Sequence, residues 1–126
     1  MPISIMKEFS FAGAHMLPHH EGKCRHLHGH EWKVKVYVQR RDGGVFESGP
    51  SQGMVIDFGD LKDILKKKVE EVFDHTYLNE KFQNPTAENI AEWIRKELID
   101  AFCPPAVILV KRVEVWETPT SCAIAE

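Results

Sequence analysis

The chain has few cysteines and no long apolar run. Its 126 residues include only Cys24, Cys103 and Cys122, and so small and odd a number argues against a disulfide framework and favours a reducing compartment. The longest apolar run, Ala106 to Val110, is far too short to span a bilayer. Met1 to Phe11 also lacks the continuous apolar core of a secretory signal peptide. We therefore expect a cytoplasmic protein that is neither exported nor inserted into a membrane.

An excess of basic charge is also missing. Sixteen Lys and Arg stand against 19 Asp and Glu, which gives a net charge of −3 at pH 7, so we expect no nucleic-acid partner. Hydrophobic residues make up 43% of the chain, and its 8 Gly and 7 Pro lie mostly between periodic segments, which excludes a disordered or low-complexity chain. The length predicts one domain, residues 1–126.

The apolar periodicity predicts four strands and two helices. A period of two indicates strands, and these run from Ile3 to Phe11, from about His28 to Gln39, from Val107 to Thr118, and from Ser121 to Ala125. The predicted fold class is α+β, with a four-stranded antiparallel sheet, two helices on one face and the order ββααββ. Because the edge strands of such a sheet stay exposed, we expect partner subunits to close them in a homo-oligomer.

Two segments have the 3, 4, 7 spacing of amphipathic helices. The first carries its apolar residues at Leu61, Ile64, Leu65, Val69, Val72 and Phe73. Asp57 or Asp60 is available as its N-cap. The second helix has Thr86 as N-cap, Glu88 in its first turn, where the helix dipole favours an acid, and Pro104-Pro105 as its stop.

Histidine is abundant, with seven residues in the chain and six of them in one short segment: His15, His19, His20, His26, His28 and His30. His28 and His30 are two positions apart on a strand, so their side chains leave the same face. His15, at the end of the preceding strand, can supply a third nitrogen because consecutive strands usually pair. Three imidazoles without a fourth protein ligand are typical of a catalytic zinc site. The alternative is a satisfied polar pair at a strand end.

Three further positions each allow two interpretations. Cys24, four residues before His28, is either an activated thiol or a fourth ligand that would make the zinc site closed and inert. Asp74-His75 is either a proton-transfer pair or a helix end carrying a favourable histidine. Glu117 faces inward by parity and so requires a partner. That partner is either a lysine such as Lys111 or the two-nitrogen edge of a guanine or pterin.

In combination these residues resemble the 6-pyruvoyl tetrahydropterin synthase / 6-carboxytetrahydropterin synthase family over nearly the whole chain. The matching motifs are Phe11-x-x-Ala14-His15, Cys24-x-x-x-His28-Gly29-His30, Val55-x-Asp57-Phe58, Asp74-His75-x-x-Leu78-Asn79, Pro85-Thr86-x-Glu88-Asn89 and Glu117-Thr118. The resemblance implies the tunnelling fold (T-fold) and a hexamer built as a dimer of trimers, with active sites at subunit boundaries.

The resemblance also assigns roles to residues. It implies one Zn²⁺ per chain, a catalytic cysteine, a proton relay, a pterin anchor and a second pterin-recognition segment. The metal ligands correspond to His15, His28 and His30. The catalytic cysteine corresponds to Cys24, the proton relay to Asp74 and His75, and the pterin anchor to Glu117. The second recognition segment corresponds to Thr86 and Glu88. The resemblance therefore favours Cys24 as a base rather than a ligand. It gives no role to His19, His20 or His26.

The implied activity is that of a lyase acting on 7,8-dihydroneopterin triphosphate. Compact length, Asn84-Pro85-Thr86 and the short tail at Cys122 are more similar to the branch that forms 6-carboxy-5,6,7,8-tetrahydropterin, acetaldehyde and triphosphate on the route to queuosine. Zinc would act as a Lewis acid on the side-chain hydroxyls, and Cys24 and His75 would remove the neighbouring protons. The alternatives are 6-pyruvoyl tetrahydropterin synthase and a non-catalytic, zinc-stabilised oligomer that binds a pterin or purine.

Overall fold

Five strands form one sheet in the computed structural model, which describes residues 1–126. The strands are β1 (Ser4–His15), β2 (His28–Arg40), β3 (Thr76–Tyr77), β4 (Ile108–Thr118) and β5 (Ser121–Ala125). Their order across the sheet is β3-β1-β2-β4-β5. All neighbours pair antiparallel except β3, which runs parallel to β1.

The helical part consists of two long segments between β2 and β4. The first contains α1 (Phe58–Leu65), a π-helical stretch at Lys66–Glu70 and a final turn, α2 (Glu71–Phe73). The second is α3 (Ala87–Ala101). Short 3₁₀ turns lie at Lys23–Arg25 and Leu78–Glu80. None of these helices has the length and apolar character needed to cross a membrane.

The predicted α+β class and the order of the main elements are confirmed, whereas the strand count of four was wrong. The fifth strand, β3, pairs only Thr76 with Gly13 and Tyr77 with Ala14. A two-residue strand shows no periodicity, because a period of two needs several repeats to stand out from the sequence. Its parallel pairing also makes the sheet mixed instead of purely antiparallel.

One face of β2 forms the centre of the core. Trp32, Val34, Val36 and Val38 are completely buried, and they pack in a single cluster with the inward residues of β4 and of the helices. The residues between them on β2 point to the other face, which no helix covers and where most side chains are polar. The alternation predicted for this strand is therefore confirmed, and it fixes the face from which His28 and His30 project.

The π-helical stretch keeps the first helix on its core. Leu61, Leu65, Val69 and Phe73 are each at most 1% exposed and lie four residues apart. In an α-helix of 3.6 residues per turn, every step of four overshoots a full turn by about 40°, so the four side chains would drift around the helix. The wider π turn takes up this surplus. Val72, which we expected on the apolar face, is instead 36% exposed.

Both long helical segments begin at side-chain caps. Asp57 caps α1 by accepting a 2.7 Å hydrogen bond from the Gly59 N–H, whereas Asp60 lies in the first turn. Thr86 caps α3, since its Oγ1 accepts a hydrogen bond from the Asn89 N–H at 3.1 Å. The prediction of Thr86 as a helix cap is therefore confirmed, and its backbone is held at the start of α3.

Candidate metal centre and active site

The pairing of β1 with β2 brings two histidines together. His15, the last residue of β1, lies directly opposite His28, the first residue of β2, and the twelve residues between them form the connecting loop. Their Nε2 atoms are 3.0 Å apart. His30, two residues along β2, completes a group of three rings whose centroids lie 4.6 to 5.1 Å from one another.

The other ring nitrogens of His15 and His28 fix the tautomers. His15 Nδ1 lies 2.8 Å from the Pro85 carbonyl oxygen, and His28 Nδ1 lies 2.7 Å from the His26 carbonyl oxygen. A carbonyl oxygen only accepts, so each Nδ1 must carry the hydrogen and donate it. The facing Nε2 atoms then present two lone pairs to each other, which repel unless a cation or proton lies between them. This arrangement is typical of metal-ligating histidines.

His30 has an unsatisfied nitrogen at the same point. Its Nε2 is buried and makes no hydrogen bond. Burial lowers the pKa of His30, and this effect outweighs the opposing charge of the nearby Glu117. A neutral imidazole with a free lone pair is the form that ligates a metal.

Glu117 completes the cluster from β4. Its Oε1 lies 3.2 Å from His15 Nε2 and 3.1 Å from His30 Nε2, and the ligand atoms of the four residues all lie within 4.8 Å of one another. Four ligands about 2.0–2.1 Å from a tetrahedral ion would be about 3.3–3.4 Å apart. The chemistry of the donor set and the three contacts of 3.0 to 3.2 Å therefore suit a zinc ion. We expected three imidazoles with no fourth protein ligand, and the structure adds a carboxylate.

Cys24 is not part of this cluster. It lies half-buried in the 3₁₀ turn Lys23–Arg25, within the loop that connects β1 to β2. Its carbonyl oxygen accepts a 2.7 Å hydrogen bond from the Leu17 N–H, which fixes the backbone of the loop beside the end of β1. The alternative of a closed site made this thiol the fourth ligand. In the structure the fourth possible ligand is Glu117.

The side chains of Asp74 and His75 are in contact just after α2. The Asp74 Oδ2 lies 3.0 Å from His75 Nδ1, and the imidazole is 82% exposed. Hydrogen bonding from the Ala12 N–H is the main cause that holds the pKa of Asp74 below its ordinary value. His75 has φ of 59°, in the left-handed region, which is a strained conformation for a residue with a side chain. Such strain is concentrated at functional sites.

Thr86 and Glu88 lie at the start of α3, close to the cluster in different ways. Pro85, the residue before Thr86, supplies the carbonyl that holds His15. Glu88 is exposed and lines the same cavity as Glu117. The start of α3 therefore contacts the site through the main chain before Thr86 and through the cavity wall at Glu88.

Three cavities meet at the cluster. One of about 590 Å³ is lined by His30, Glu117 and residues of the uncovered sheet face, including Lys33. A second, of about 320 Å³, places Glu117 with Glu88 and with residues of β5. A third, shallow one of about 560 Å³ joins His30 to His75. The metal ligands are therefore reachable from both edges of the sheet.

Sequence reasoning missed the main-chain groups that orient the imidazoles. The carbonyls of Pro85 and His26 carry no side-chain signature, so no pattern could identify them. It also missed the wall of the site formed by Trp32, whose ring packs edge-on against His15 and His30 at centroid distances of 5.0 and 5.3 Å. The shared parity of His30 and Trp32 on β2 was the available signal. His19 and His20 lie outside the cluster.

Comparisons with known proteins give relatives over nearly the whole chain. The family model described as 6-pyruvoyl tetrahydropterin synthase matches residues 4–126. A 6-carboxy-5,6,7,8-tetrahydropterin synthase of Synechocystis is 47% identical over 121 residues, which cover 94% of this chain and 89% of that protein. A dihydroneopterin monophosphate aldolase of Pyrococcus furiosus is 34% identical over 117 residues, covering 93% and 91%.

The solved structures extend the likeness to the fold. The 6-pyruvoyl tetrahydropterin synthase of Caenorhabditis elegans superposes with a TM-score of 0.77 at 27% identity, over 98% of this chain and 94% of that one. The predicted T-fold is thereby confirmed. The chain is therefore an enzyme of the pterin-synthase type and belongs to the 6-pyruvoyl tetrahydropterin synthase family.

Proposed function

We propose that the chain is a zinc-dependent 6-carboxy-5,6,7,8-tetrahydropterin synthase. It would convert 7,8-dihydroneopterin triphosphate to 6-carboxy-5,6,7,8-tetrahydropterin, with release of acetaldehyde and triphosphate, in the biosynthesis of queuosine and related 7-deazapurines. The observation that carries the proposal is the convergence of three imidazole nitrogens and a carboxylate on one point beside two cavities that are both lined by Glu117. The identity of 47% with a relative of that name supports the choice of product.

His15, His28 and His30 would hold the metal ion, one per chain. The carbonyls of Pro85 and His26 keep the first two rings turned inward, so these residues need little rearrangement to bind zinc. When bound, the ion supplies Lewis-acid polarisation of the oxygens on the substrate side chain.

Glu117 would anchor the pterin ring, and Thr86 and Glu88 would form the second recognition segment. The cavity of about 320 Å³ that contains both Glu117 and Glu88 supports this arrangement. A carboxylate can accept two hydrogen bonds from adjacent N–H groups of a ring, which gives both orientation and affinity. The ring edge would then be fixed while the side chain extends towards the histidines.

Cys24 and His75 would move protons at the carbon atoms of the substrate side chain. Asp74 holds His75 through the 3.0 Å contact with its Nδ1, which leaves Nε2 as the atom that exchanges a proton with substrate. Cys24 would act as the second base from the loop before His28. Its place outside the four-residue cluster supports a base more than a ligand.

The assembly would be a hexamer, a dimer of trimers, with each site shared between subunits. The exposed position of His75 at the β3 edge supports this arrangement, because an imidazole that is 82% exposed needs a further wall to work on an enclosed substrate. Residues 1–126 would form a single domain. Three free cysteines are in keeping with activity in the cytoplasm.

The test is to identify the products formed from 7,8-dihydroneopterin triphosphate by mass spectrometry. The proposal expects 6-carboxy-5,6,7,8-tetrahydropterin and acetaldehyde in equal amounts. A 6-pyruvoyl product would assign the chain to the alternative synthase. Side-chain cleavage of only a monophosphate substrate would assign it to the aldolase activity named for the Pyrococcus relative. Binding of the pterin without turnover would favour the non-catalytic oligomer.

A further inference from the structure

We propose that Glu117 has two roles in turn: it ligates the metal ion in the free enzyme, and it leaves that ion to hold the pterin ring when substrate binds. The second role rests on the proposed function. The first rests on the position of the carboxylate, which lies where a catalytic zinc site with three protein ligands would be open.

The distances from Glu117 to two imidazoles are similar to the distance between His15 and His28. Glu117 Oε1 lies 3.1 and 3.2 Å from the Nε2 atoms of His30 and His15, and those values match the 3.0 Å between the Nε2 atoms of His15 and His28. These contacts place the carboxylate among the imidazole nitrogens, and the ligand atoms of all four residues lie within 4.8 Å of one another.

Hydrogen bonds of neutral imidazoles do not account for these contacts. The Nδ1 hydrogen of His15 is donated to the Pro85 carbonyl, so Nε2 of a neutral ring has no hydrogen for Glu117. The 3.1 Å contact of His30 Nε2 with Glu117 lacks good hydrogen-bond geometry. Such atoms repel unless a metal ion or a proton lies between them, and the metal-binding test below distinguishes the two.

Glu117 is also free to leave. Its side chain is 27% exposed, and its only polar contacts are those with the two histidines. By contrast Glu114, three residues earlier on β4, is 7% exposed and is held by Arg112 Nε and Trp116 Nε1, each at 2.9 Å. Of these two carboxylates, only Glu117 has a side chain that can turn without breaking such hydrogen bonds.

Two cavities beside Glu117 provide space for its side chain to move. It lines both the cavity of about 590 Å³ and the cavity of about 320 Å³. In the smaller cavity it would accept two N–H groups of the ring while keeping its negative charge. The position that it vacates then becomes available to an oxygen of the substrate side chain. Substrate entry would thus open a site that is closed in the free protein.

The ligand role is tested without substrate, in protein loaded with Co²⁺ as a spectroscopic probe. Glu117→Gln keeps the size of the side chain but removes its charge, and Glu117→Ala removes the ligand. We expect both to change the cobalt d–d absorption and to weaken Co²⁺ and Zn²⁺ binding at least about tenfold in chelator competition. Glu31→Gln is the matched control, because Glu31 lines the larger cavity but lies outside the cluster.

A spectrum and a metal affinity of Glu117→Gln equal to those of the wild type and of Glu31→Gln would overturn the ligand role. The glutamine variant decides this even if the alanine variant does not fold.

The exchange is tested by titrating the wild-type cobalt protein with a pterin that has no side chain. We expect the absorption to move towards that of Glu117→Ala and to saturate together with the binding heat. Binding heat without an absorption change would overturn the exchange. No binding of any pterin would overturn the proposed function and the exchange together. The metal affinities of the variants would then still report on the ligand role alone.

Discussion

The carboxylate of Asp74 accepts a 2.9 Å hydrogen bond from the main-chain N–H of Ala12, a residue 62 positions earlier in the chain. The His75 N–H in turn donates to the Ala12 carbonyl oxygen at 2.6 Å. Both hydrogen-bonding groups of Ala12 therefore hold the turn that carries His75. Because Ala12 lies on β1, three residues before His15, the same strand positions a metal ligand and the exposed imidazole.

The Asp74 contact predicts a pH-dependent stability. The hydrogen bond from Ala12 lowers the pKa of Asp74 below its ordinary value of 3.8. A carboxyl whose pKa is lowered by folding stabilises the protein above its unfolded-state pKa, and this stabilisation is lost as the pH falls through the folded-state value. Asp74→Asn should therefore have a lower melting temperature than the wild type at pH 7, and the difference should shrink below pH 3.8.

Thermal unfolding of both metal-free proteins at pH 7 and at about pH 3 measures this difference. An asparagine can still accept from Ala12, so the variant isolates the charge. Equal differences at the two pH values would show that the ionised carboxylate adds nothing to stability.

His28→Ala should remove the bound zinc, since it deletes one of three imidazoles that converge on the ion. The matched control is His26→Ala, because His26 contributes its main-chain carbonyl to His28 and its ring is not in the cluster. Elemental analysis of the purified proteins should find about one zinc per chain in the control and in the wild type. Full zinc occupancy in His28→Ala would remove that residue from the ligand set.

Cys24→Ala should retain zinc and lose turnover. The thiol lies outside the cluster of ligand atoms, so metal content should not depend on it, whereas a general base contributes about a hundredfold to ten-thousandfold to the rate. The measurement pairs zinc analysis with turnover of 7,8-dihydroneopterin triphosphate. Loss of zinc in this variant would make Cys24 a ligand, and normal turnover would leave it without a catalytic role.

His75→Ala should lower kcat by about a hundredfold to ten-thousandfold, the range for one positioned proton-transfer group, and should leave zinc content and pterin affinity unchanged. Asp74→Asn should have a similar effect, because Asp74 holds the ring of His75 through its 3.0 Å contact. Steady-state kinetics of both variants, with calorimetric titration of a pterin, separates the rate from the affinity. Normal kcat in His75→Ala would reduce the pair to a helix end.

Mixing the two inactive proteins tests whether subunits share a site. Cys24→Ala chains and His75→Ala chains that exchange subunits would form some sites with both residues intact, if Cys24 of one subunit works with His75 of another. Partial recovery of activity is the expected result. No recovery, after subunit exchange has been confirmed by mass spectrometry, would place both residues in one chain's site.

Much of this site follows from the sequence, because local periodicity determines the direction of each side chain. A period of two on β2 is enough to put His28 and His30 on the face of Trp32 and Val34, and the structure has these residues on one face. The fourth sequence-predicted strand, Ser121 to Ala125, coincides with β5. Thr86 caps α3 as its position before the apolar repeat predicts. These features depend on residues that are close to one another in the chain, so the sequence alone was enough to predict them.

The tertiary structure decided the features that join distant segments. Strand β3 exists because two residues after α2 pair with Gly13 and Ala14, and two residues have no period of their own. The carbonyl of Pro85 holds His15 across 70 positions. Glu117 meets His15 and His30 instead of Lys111 because β4 pairs beside β2. Such contacts depend on strand register and on main-chain carbonyl groups. Every residue carries the same carbonyl group, so the sequence does not show which of them will make a contact in the folded protein.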